Sequence, residues 1–399
     1  MLEPFVSAVP VLKKLEEAGF EAYFVGGAVR DFLLKNPIND VDIATSATPN
    51  EVKKTFPKTV DIGIDHGTIL VLFQNKSYEI TTFRTESEYQ DFRRPKGVSF
   101  VRSLNEDLQR RDFTMNAIAM DRFGKLIDPF NGQFAIQERM IRTVGQATER
   151  FQEDALRMMR AVRFVSQLGF ELERETVKAL DHLVPLLAHI AIERKRAEFE
   201  KLLKGKNRKQ ALNLLIETGL FSYLPGLSNH KEHLEELKNY DFDTLSKDEM
   251  WTLLIFCLNL EEKSIEGFLR NWRLPLKEIR NIQRILLFLF KRLKQEWTVY
   301  DLYLAGSDTI KSVETLFQVL KGNKEFESIF RWVNLYKQLP IKERSDMKVT
   351  GNDLLAWFDS KGGPWLHEML TKIEQAILEG KAVNDNNKIK EWLMECNQK

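Results

Sequence analysis

Apolar and polar positions over the first 145 residues follow two periods in turn. EAYFV (21–25), DVDIAT (40–45), KTVDIG (58–63), TILVLF (68–73) and YEITTFRT (78–85) are short, rich in β-branched or aromatic residues, and bounded by Gly, Asn or Asp. That pattern predicts strands. Phe73 to Tyr78 encloses Gln-Asn-Lys-Ser, which suits a hairpin. Helical stretches lie between these runs. Val6 to Ala18 predicts a helix stopped by Gly19. Thr48-Pro49-Asn50-Glu51 has capping-box spacing with proline at the first helical position, so a helix should run to about Phe56. Ser103 to Glu106 repeats that spacing and opens a short helix toward Arg111.

After residue 148 the strand signal disappears. Leu156, Met159, Val162 and Leu168 recur at helical spacing, and Leu180, Leu183, Leu187, then Phe199, Leu202 and Leu203 continue it. All seven tryptophans and both cysteines lie at or after Trp251. Residues 205–207, 224–226 and 274–276 are plausible joints, and no fixed-period repeat or low-complexity tract is visible. The expected fold class is α+β: a small mixed-sheet head followed by a long, segmented all-helical part.

Length and composition narrow this picture. A chain of 399 residues suggests two to four domains. Hydrophobic residues at 43% and charged residues at 29% exclude a disordered or fibrous chain. The balance of 59 basic and 58 acidic side chains excludes a strongly basic coating protein, but a local basic stripe can still bind phosphates. Cys257 and Cys396 cannot build a disulfide framework or a CxxC metal site, so a reduced, cytoplasmic setting is expected. The N-terminus lacks a signal peptide's apolar core. The most apolar stretches, 251–260 and 285–290, fall far below the ~18 to 20 residues of a membrane helix.

The most informative stretch is YFVGGAVRDFLLKNPINDVDIA (23–44). A strand runs into Gly26-Gly27 and a helix follows through Leu34. Glycines at such a corner let a ligand approach the backbone, and the N–H groups of a helix start suit a phosphate. Gly27 is therefore a candidate nucleotide contact, and Arg30, one turn in, adds a charge-assisted one. Asp40 and Asp42 lie two apart in a strand-like run, so both carboxylates should face one way. Two adjacent acids repel unless a cation lies between them, and hard oxygen ligands suit Mg²⁺.

GGAVRD followed by DVD resembles motif A of the nucleotidyltransferase superfamily that includes DNA polymerase β. More closely, it resembles the class II tRNA nucleotidyltransferases, the CCA-adding enzymes and their bacterial poly(A) polymerase relatives. The resemblance implies a head (1–147) with a metal-binding aspartate pair, a helical neck (148–207) that recognises the base, and an elongated helical body (208–300) and tail (301–399) that bind tRNA. It implies CTP and ATP as donors, Mg²⁺ held by Asp40 and Asp42 as the catalytic and metal-binding pair, and no protein nucleophile. Glu79, on a later strand, is either a third carboxylate of the kind this superfamily often uses or a surface acid.

Further motifs fit the same family. Glu86, Tyr89, Arg93 and Pro95, interleaved with Phe92, Arg94, Lys96, Phe100 and Arg102, resemble its flexible loop, with Glu where Asp is usual. Relatives that add only CC typically lack this loop. Arg110-Arg111-Asp112 resembles motif B, and Arg111 is the expected nucleotide ligand there. Asp128-Pro129-Phe130-Asn131-Gly132 resembles the hinge between head and neck. Glu153-Asp154-Ala155-Leu156-Arg157 matches the family's EDxxR template motif. Read on its own, Asp154 and Arg157 are three apart on a predicted helix, where an intrahelical ion pair is the ordinary outcome. In the family the pair reads the base edge. Cytosine and adenine both offer an amino donor beside a ring-nitrogen acceptor, which a carboxylate and a guanidinium match.

Arg160 and Arg163 continue the row. Three-residue steps drift by about 60° on an ideal helix, which would place Arg163 nearly opposite Asp154. The clusters Lys201/Lys204/Lys206/Arg208/Lys209 and Arg280/Arg284/Lys291/Arg292/Lys294 either track tRNA phosphates or form solvated helix faces. His230 and His233 share a face without a third zinc ligand, and His66 reads as structural. The sequence implies no protein partner and leaves a homodimer open.

Overall fold

A computed structural model describes residues 2–86, 89–90, 94–95, 97–323 and 327–396; Phe92, Arg93 and Lys96 of the loop motif lie outside them. The chain divides into two compact units, Met1–Glu235 with Asn271–Arg273, and Glu236–Arg270 with Leu274–Lys399.

The first unit opens with α1 (Phe5–Glu17), β1 (Ala22–Val25), α2 (Gly27–Leu33), β2 (Asp42–Thr45), α3 (Pro49–Thr55), β3 (Thr59–Gly63), β4 (Thr68–Phe73) and β5 (Lys76–Thr82). The short strands β6 (Arg84–Glu86), β7 (Tyr89–Gln90), β8 (Arg94–Pro95) and β9 (Val98–Phe100) follow, then α4 (Leu104–Gln109), β10 (Ala119–Met120), β11 (Leu126–Ile127), α5 (Gly132–Gln137) and β12 (Met140–Ile141). Helices then dominate: α6 (Ala147–Glu153), α7 (Leu156–Leu168), β13 (Glu171–Leu172), α8 (Arg174–Leu183), α9 (Ile192–Leu203), α10 (Arg208–Glu217) and α11 (Lys231–Leu237, its last two residues in the second unit). The expected mixed-sheet head leading into helices is present.

The head is built on a seven-stranded sheet in the order β11-β10-β1-β2-β5-β4-β3, beside the two-stranded pairs β6-β9 and β7-β8. Only β2 and β5 pair parallel within it. Its core places Val25, Ala44, Phe83, Leu108, Ala117, Ala119 and Val144 in one cluster. Elsewhere α1 packs the buried Phe5 edge-on against Phe24 of β1, with ring centroids 4.9 Å apart.

Several local expectations shift. The 40–45 run begins its pairing at Asp42, and Asp40 lies in the segment before it. The run 78–85 divides at Phe83 into β5 and β6. The hairpin turn is Gln74-Asn75 alone, both at positive φ, with Phe73 paired to Lys76. That is the mirror-image turn whose twist matches two antiparallel strands. Thr48 and Glu51 form the full capping box, whereas Ser103 only accepts from the Glu106 N–H. At the expected hinge, the Asp128 carboxylate accepts from the Gly132 and Gln133 N–H groups at 2.7 and 2.9 Å. There Gly132 is packed so closely that an added Cβ would overlap the Thr114 carbonyl and Ile118.

The second unit is helical: α12 (Lys247–Cys257), α13 (Glu262–Asn271, its last residue in the first unit), α14 (Leu276–Lys294), α15 (Val299–Lys321, broken at Gly306), α16 (Glu327–Gln338), α17 (Gly351–Phe358), α18 (Pro364–Leu378) and α19 (Asn386–Cys396). Two sequestered carboxylates tie it together. Glu314 accepts from Arg292 Nε and Trp297 Nε1, and Glu374 accepts from Tyr303 Oη and both Nε and Nη2 of Arg344. Among the described residues no helix is long and apolar enough to cross a membrane.

Candidate active site

The sheet itself builds the catalytic corner. Antiparallel pairing sets Val25, the last residue of β1, beside Asp42, the first of β2. The chain then turns through Gly26 at φ 72°, into α2. A Cβ on Gly26 would lie 3.3 Å from Arg111 Nη1 and 3.6 Å from Asp42 Oδ2, so the corner stays open only for glycine. On the other side of β2, parallel register places Glu79 of β5 opposite Asp42. Buried Val41 separates two exposed acids, Asp40 and Asp42, as alternation expects.

Asp42 is exposed as a residue, yet its carboxyl is raised above the usual range. Burial is the first cause; Glu79 and Asp40 add to it, and Arg111 opposes it. Neighbouring carboxylates of like charge are a place where a cation gains. Among the described residues no three His, Cys, Asp or Glu side chains converge to hold a metal alone. A site of few carboxylates completed by substrate phosphates is nevertheless how Mg²⁺ is commonly held, so the donor set fits that ion.

Asp42 opens into a cleft of about 950 Å³. Its walls bring together Gly26, Gly27, Arg30, Arg111, Asp154, Arg157, Arg160 and Arg163, residues distant in sequence. Asp40 and Glu79 flank this cleft rather than line it. Eight arginines (30, 84, 110, 111, 157, 160, 163 and 194) face four acids (42, 86, 112 and 154), a cationic surplus suited to a triphosphate.

Each arginine is aimed by a partner. Arg30 forks onto Asp31 at 2.9 and 3.0 Å and donates to Asn116 Oδ1 at 2.8 Å. The sequestered Asp107 holds Arg111 Nη2 at 3.0 Å and Arg110 Nη2 at 2.8 Å. Burial alone would raise the Asp107 carboxyl, but those two guanidiniums hold it below the ordinary range. Glu86, at the root of the loop motif, accepts from Arg84 and Arg110 at 3.0 and 3.1 Å. Asp112 is buried and accepts from Asn116 Nδ2 and Arg160 Nε, so it anchors Arg160. Arg163 pairs with Glu198 of α9 at 2.6 Å. Burial brings the Arg163 guanidinium down to about 10, against the pull of Glu198, and it stays cationic at neutral pH.

The template motif departs from its expected form. Asp154 is not on a helix with Arg157: it is the extended residue (φ −134°, ψ 103°) between α6 and α7. Between the two, the Arg157 N–H donates to the Asp154 carbonyl at 2.9 Å. Asp154 accepts from Leu156 N at 3.0 Å and from Arg194 Nη2 at 2.7 Å. Buried Arg157 donates to the carbonyls of Arg150 and Arg110 and to Glu153 Oε2. Because α7 starts after Asp154, the angular drift that set Arg163 opposite it does not apply. Arg157, Arg160 and Arg163 all reach the cleft from α7. Arg84, Arg194, Asn116 and Phe164 escaped the sequence reading. Arg194 lies in the cation-rich run IERKR, where nothing singles it out, and Phe164 reads as ordinary core.

The family model described as "Poly A polymerase head domain" matches residues 22–142, "Probable RNA and SrmB- binding site of polymerase A" matches 169–231, and "tRNA nucleotidyltransferase domain 2 putative" matches 242–393. The CCA-adding enzyme of Bacillus cereus (strain Q1) is 49% identical over 397 residues, spanning 99% of this chain and 100% of that one. The chain belongs to the CCA-adding enzyme family. The Bacillus anthracis CCA-adding enzyme matches with the same identity and coverage. The crystal structure of the Bacillus stearothermophilus CCA-adding enzyme in complex with CTP superposes with a TM-score of 0.92 at 46% identity, covering 100% of this chain and 98% of that one. As a member of the CCA-adding enzymes the chain is a nucleotidyltransferase, of a family that works with divalent metals.

Proposed function

We propose that this chain adds C, C and A in order to the 3′ end of tRNA, taking CTP and ATP as donors and releasing pyrophosphate in the cytoplasm. One observation carries the reading: a single cleft joins the glycine corner and Asp42 to Asp154 and Arg157. Phosphate chemistry and base selection therefore share one bound nucleotide, and no nucleic-acid template is required.

In this reading Asp40 and Asp42 hold Mg²⁺, and Glu79 stands opposite Asp42 on the neighbouring strand. When bound, the ion lowers the pKa of the incoming 3′-hydroxyl and neutralises triphosphate charge. The chain's own groups do the rest. The Gly26-Gly27 corner and Arg30 and Arg111 seat the phosphates, while Arg160 and Arg163 extend the cationic wall. The hydroxyl attacks the α-phosphorus in line and pyrophosphate leaves. Arg157 donates to the base's ring nitrogen and Asp154 accepts from its amino group; uracil and guanine offer the reverse pattern. Residues 1–147 act as the catalytic head, 148–207 as the base-reading neck, and 208–300 and 301–399 as tRNA-binding body and tail.

The test supplies a tRNA lacking its last three nucleotides with CTP and ATP, singly and together. Two C followed by one A is the expected product. Long A tails would indicate a poly(A) polymerase, C-only or A-only products a partial adder, and no incorporation a non-catalytic RNA-binding protein.

A further inference from the structure

The base-reading carboxylate stands where no helix fixes it. Asp154 is in extended backbone between α6 and α7, so its direction depends on its hydrogen bonds. One is local, from Leu156 N to Oδ1. The other two come from Arg194, forty residues on: Nη2 meets Oδ2 at 2.7 Å and Nη1 meets Oδ1 at 3.4 Å. Two prongs on two oxygens set the plane of a carboxylate as well as its position. Arg194 sits in the first turn of α9, and Glu198, one turn later on the same face, holds Arg163. A single helix thus braces the base-reading row at both ends.

We propose that Arg194 is the positioning residue for base selection: its fork holds the Asp154 carboxylate aimed into the cleft, so that cytosine and adenine are accepted and uracil and guanine refused. This rests on the assignment of Asp154 as a base-reading residue. The Arg157 guanidinium donates to the Arg150 and Arg110 carbonyls and to Glu153. Arg194 is only partly buried, at 30% side-chain exposure against 16% for Asp154, so its fork closes the outer side of the carboxylate. Without it, a carboxylate in a cleft lined by arginines swings to another cation, and its acceptor lone pairs turn away from the base.

The experiment measures kcat/KM for CTP and for UTP on the same tRNA with wild type, Arg194→Ala, Arg194→Lys and Asp154→Ala. The CTP-to-UTP ratio does not depend on the fraction of molecules folded, because both nucleotides meet the same active population. Arg194→Ala is expected to lower the ratio by about tenfold, chiefly through a higher KM for CTP, the size of losing a charged hydrogen bond. Arg194→Lys keeps the charge without the fork and should restore only part of it. Combined with Asp154→Ala, Arg194→Ala should add nothing further to the ratio. An equal loss with both nucleotides, or full rescue by lysine, would overturn the positioning role. If Asp154→Ala collapses the ratio and Arg194→Ala leaves it at the wild-type level, Arg194 alone is misassigned. If Asp154→Ala leaves it unchanged, the base-reading assignment itself fails.

Discussion

The guanidinium of Arg163 lies 3.9 Å over the ring of Phe164, its neighbour in sequence. Arg30 and Arg160 approach the same ring at 5.2 and 5.6 Å, and Phe113 meets it edge-on at 5.7 Å. One aromatic side chain therefore organises three cations of the cleft. Stacking of this kind contributes on the order of 0.5 to 2 kcal/mol per pair. Phe164→Leu should raise KM for CTP and ATP alike by about tenfold, with little change in kcat or in base choice. Steady-state kinetics with both nucleotides check this; a selective effect on one base would contradict it.

The carboxylate pair gives a sharper outcome. Asp40→Ala should lower incorporation by at least about a thousandfold while tRNA binding persists, since several kcal/mol of charge stabilisation go with the metal. Asp42→Asn should do the same, yet raise the melting temperature of the metal-free protein. Its carboxyl is held above the ordinary range by burial, Glu79 and Asp40, so the ionised form opposes folding at neutral pH. Chelation of divalent metal should abolish turnover of the wild type. Melting curves without metal and incorporation assays read the two effects separately.

Glu374 predicts a pH dependence for the second unit. Burial raises its carboxyl, but hydrogen bonds from Arg344 and Tyr303 outweigh this and leave it below the ordinary value. A depressed carboxyl stabilises the fold above its unfolded pKa of about 4.3 and loses that contribution as pH falls through the folded value. Arg344→Met should cost about 1 to 2 kcal/mol at pH 7, a figure kept low because Arg344 is partly exposed. The gap to wild type should narrow as pH drops through the acid range. Denaturant midpoints from pH 7 downward test it; a constant gap would refute the linkage.

Gly132→Ala should destabilise the first unit by about 3 kcal/mol, because the new methyl overlaps the Thr114 carbonyl and Ile118. Thermal unfolding would show it, and a wild-type melting temperature would mean that this turn yields.

Much of the head was legible because its signals are local. A short run rich in β-branched and aromatic residues marks Thr68–Phe73 as a strand, and the Thr48–Glu51 capping box marks a helix start without reference to the rest of the fold. Glycines followed by spaced aspartates were equally plain. The β10 and β11 strands were not, since two residues carry no periodicity and Ala119 and Met120 are fixed by pairing with β1. Lys76 and Ser77 read as turn because they are polar, whereas they are exposed positions of β5. Nothing in EDALRMMR breaks a helix; the break at Asp154 is held by Leu156 N and by an arginine from another element. Long-range ion pairs of this sort, like Glu198 with Arg163, leave no periodic trace.

A residue seated in a joint obeys different mechanics from one embedded in a coil of backbone. Re-aiming Asp154 breaks no rung of α7, because its side chain is tied down by one amide and one arginine fork. Under the proposed reading, the direction of this carboxylate is a tertiary property, set by one amide and by a fork from α9, and not by the winding of either flanking helix.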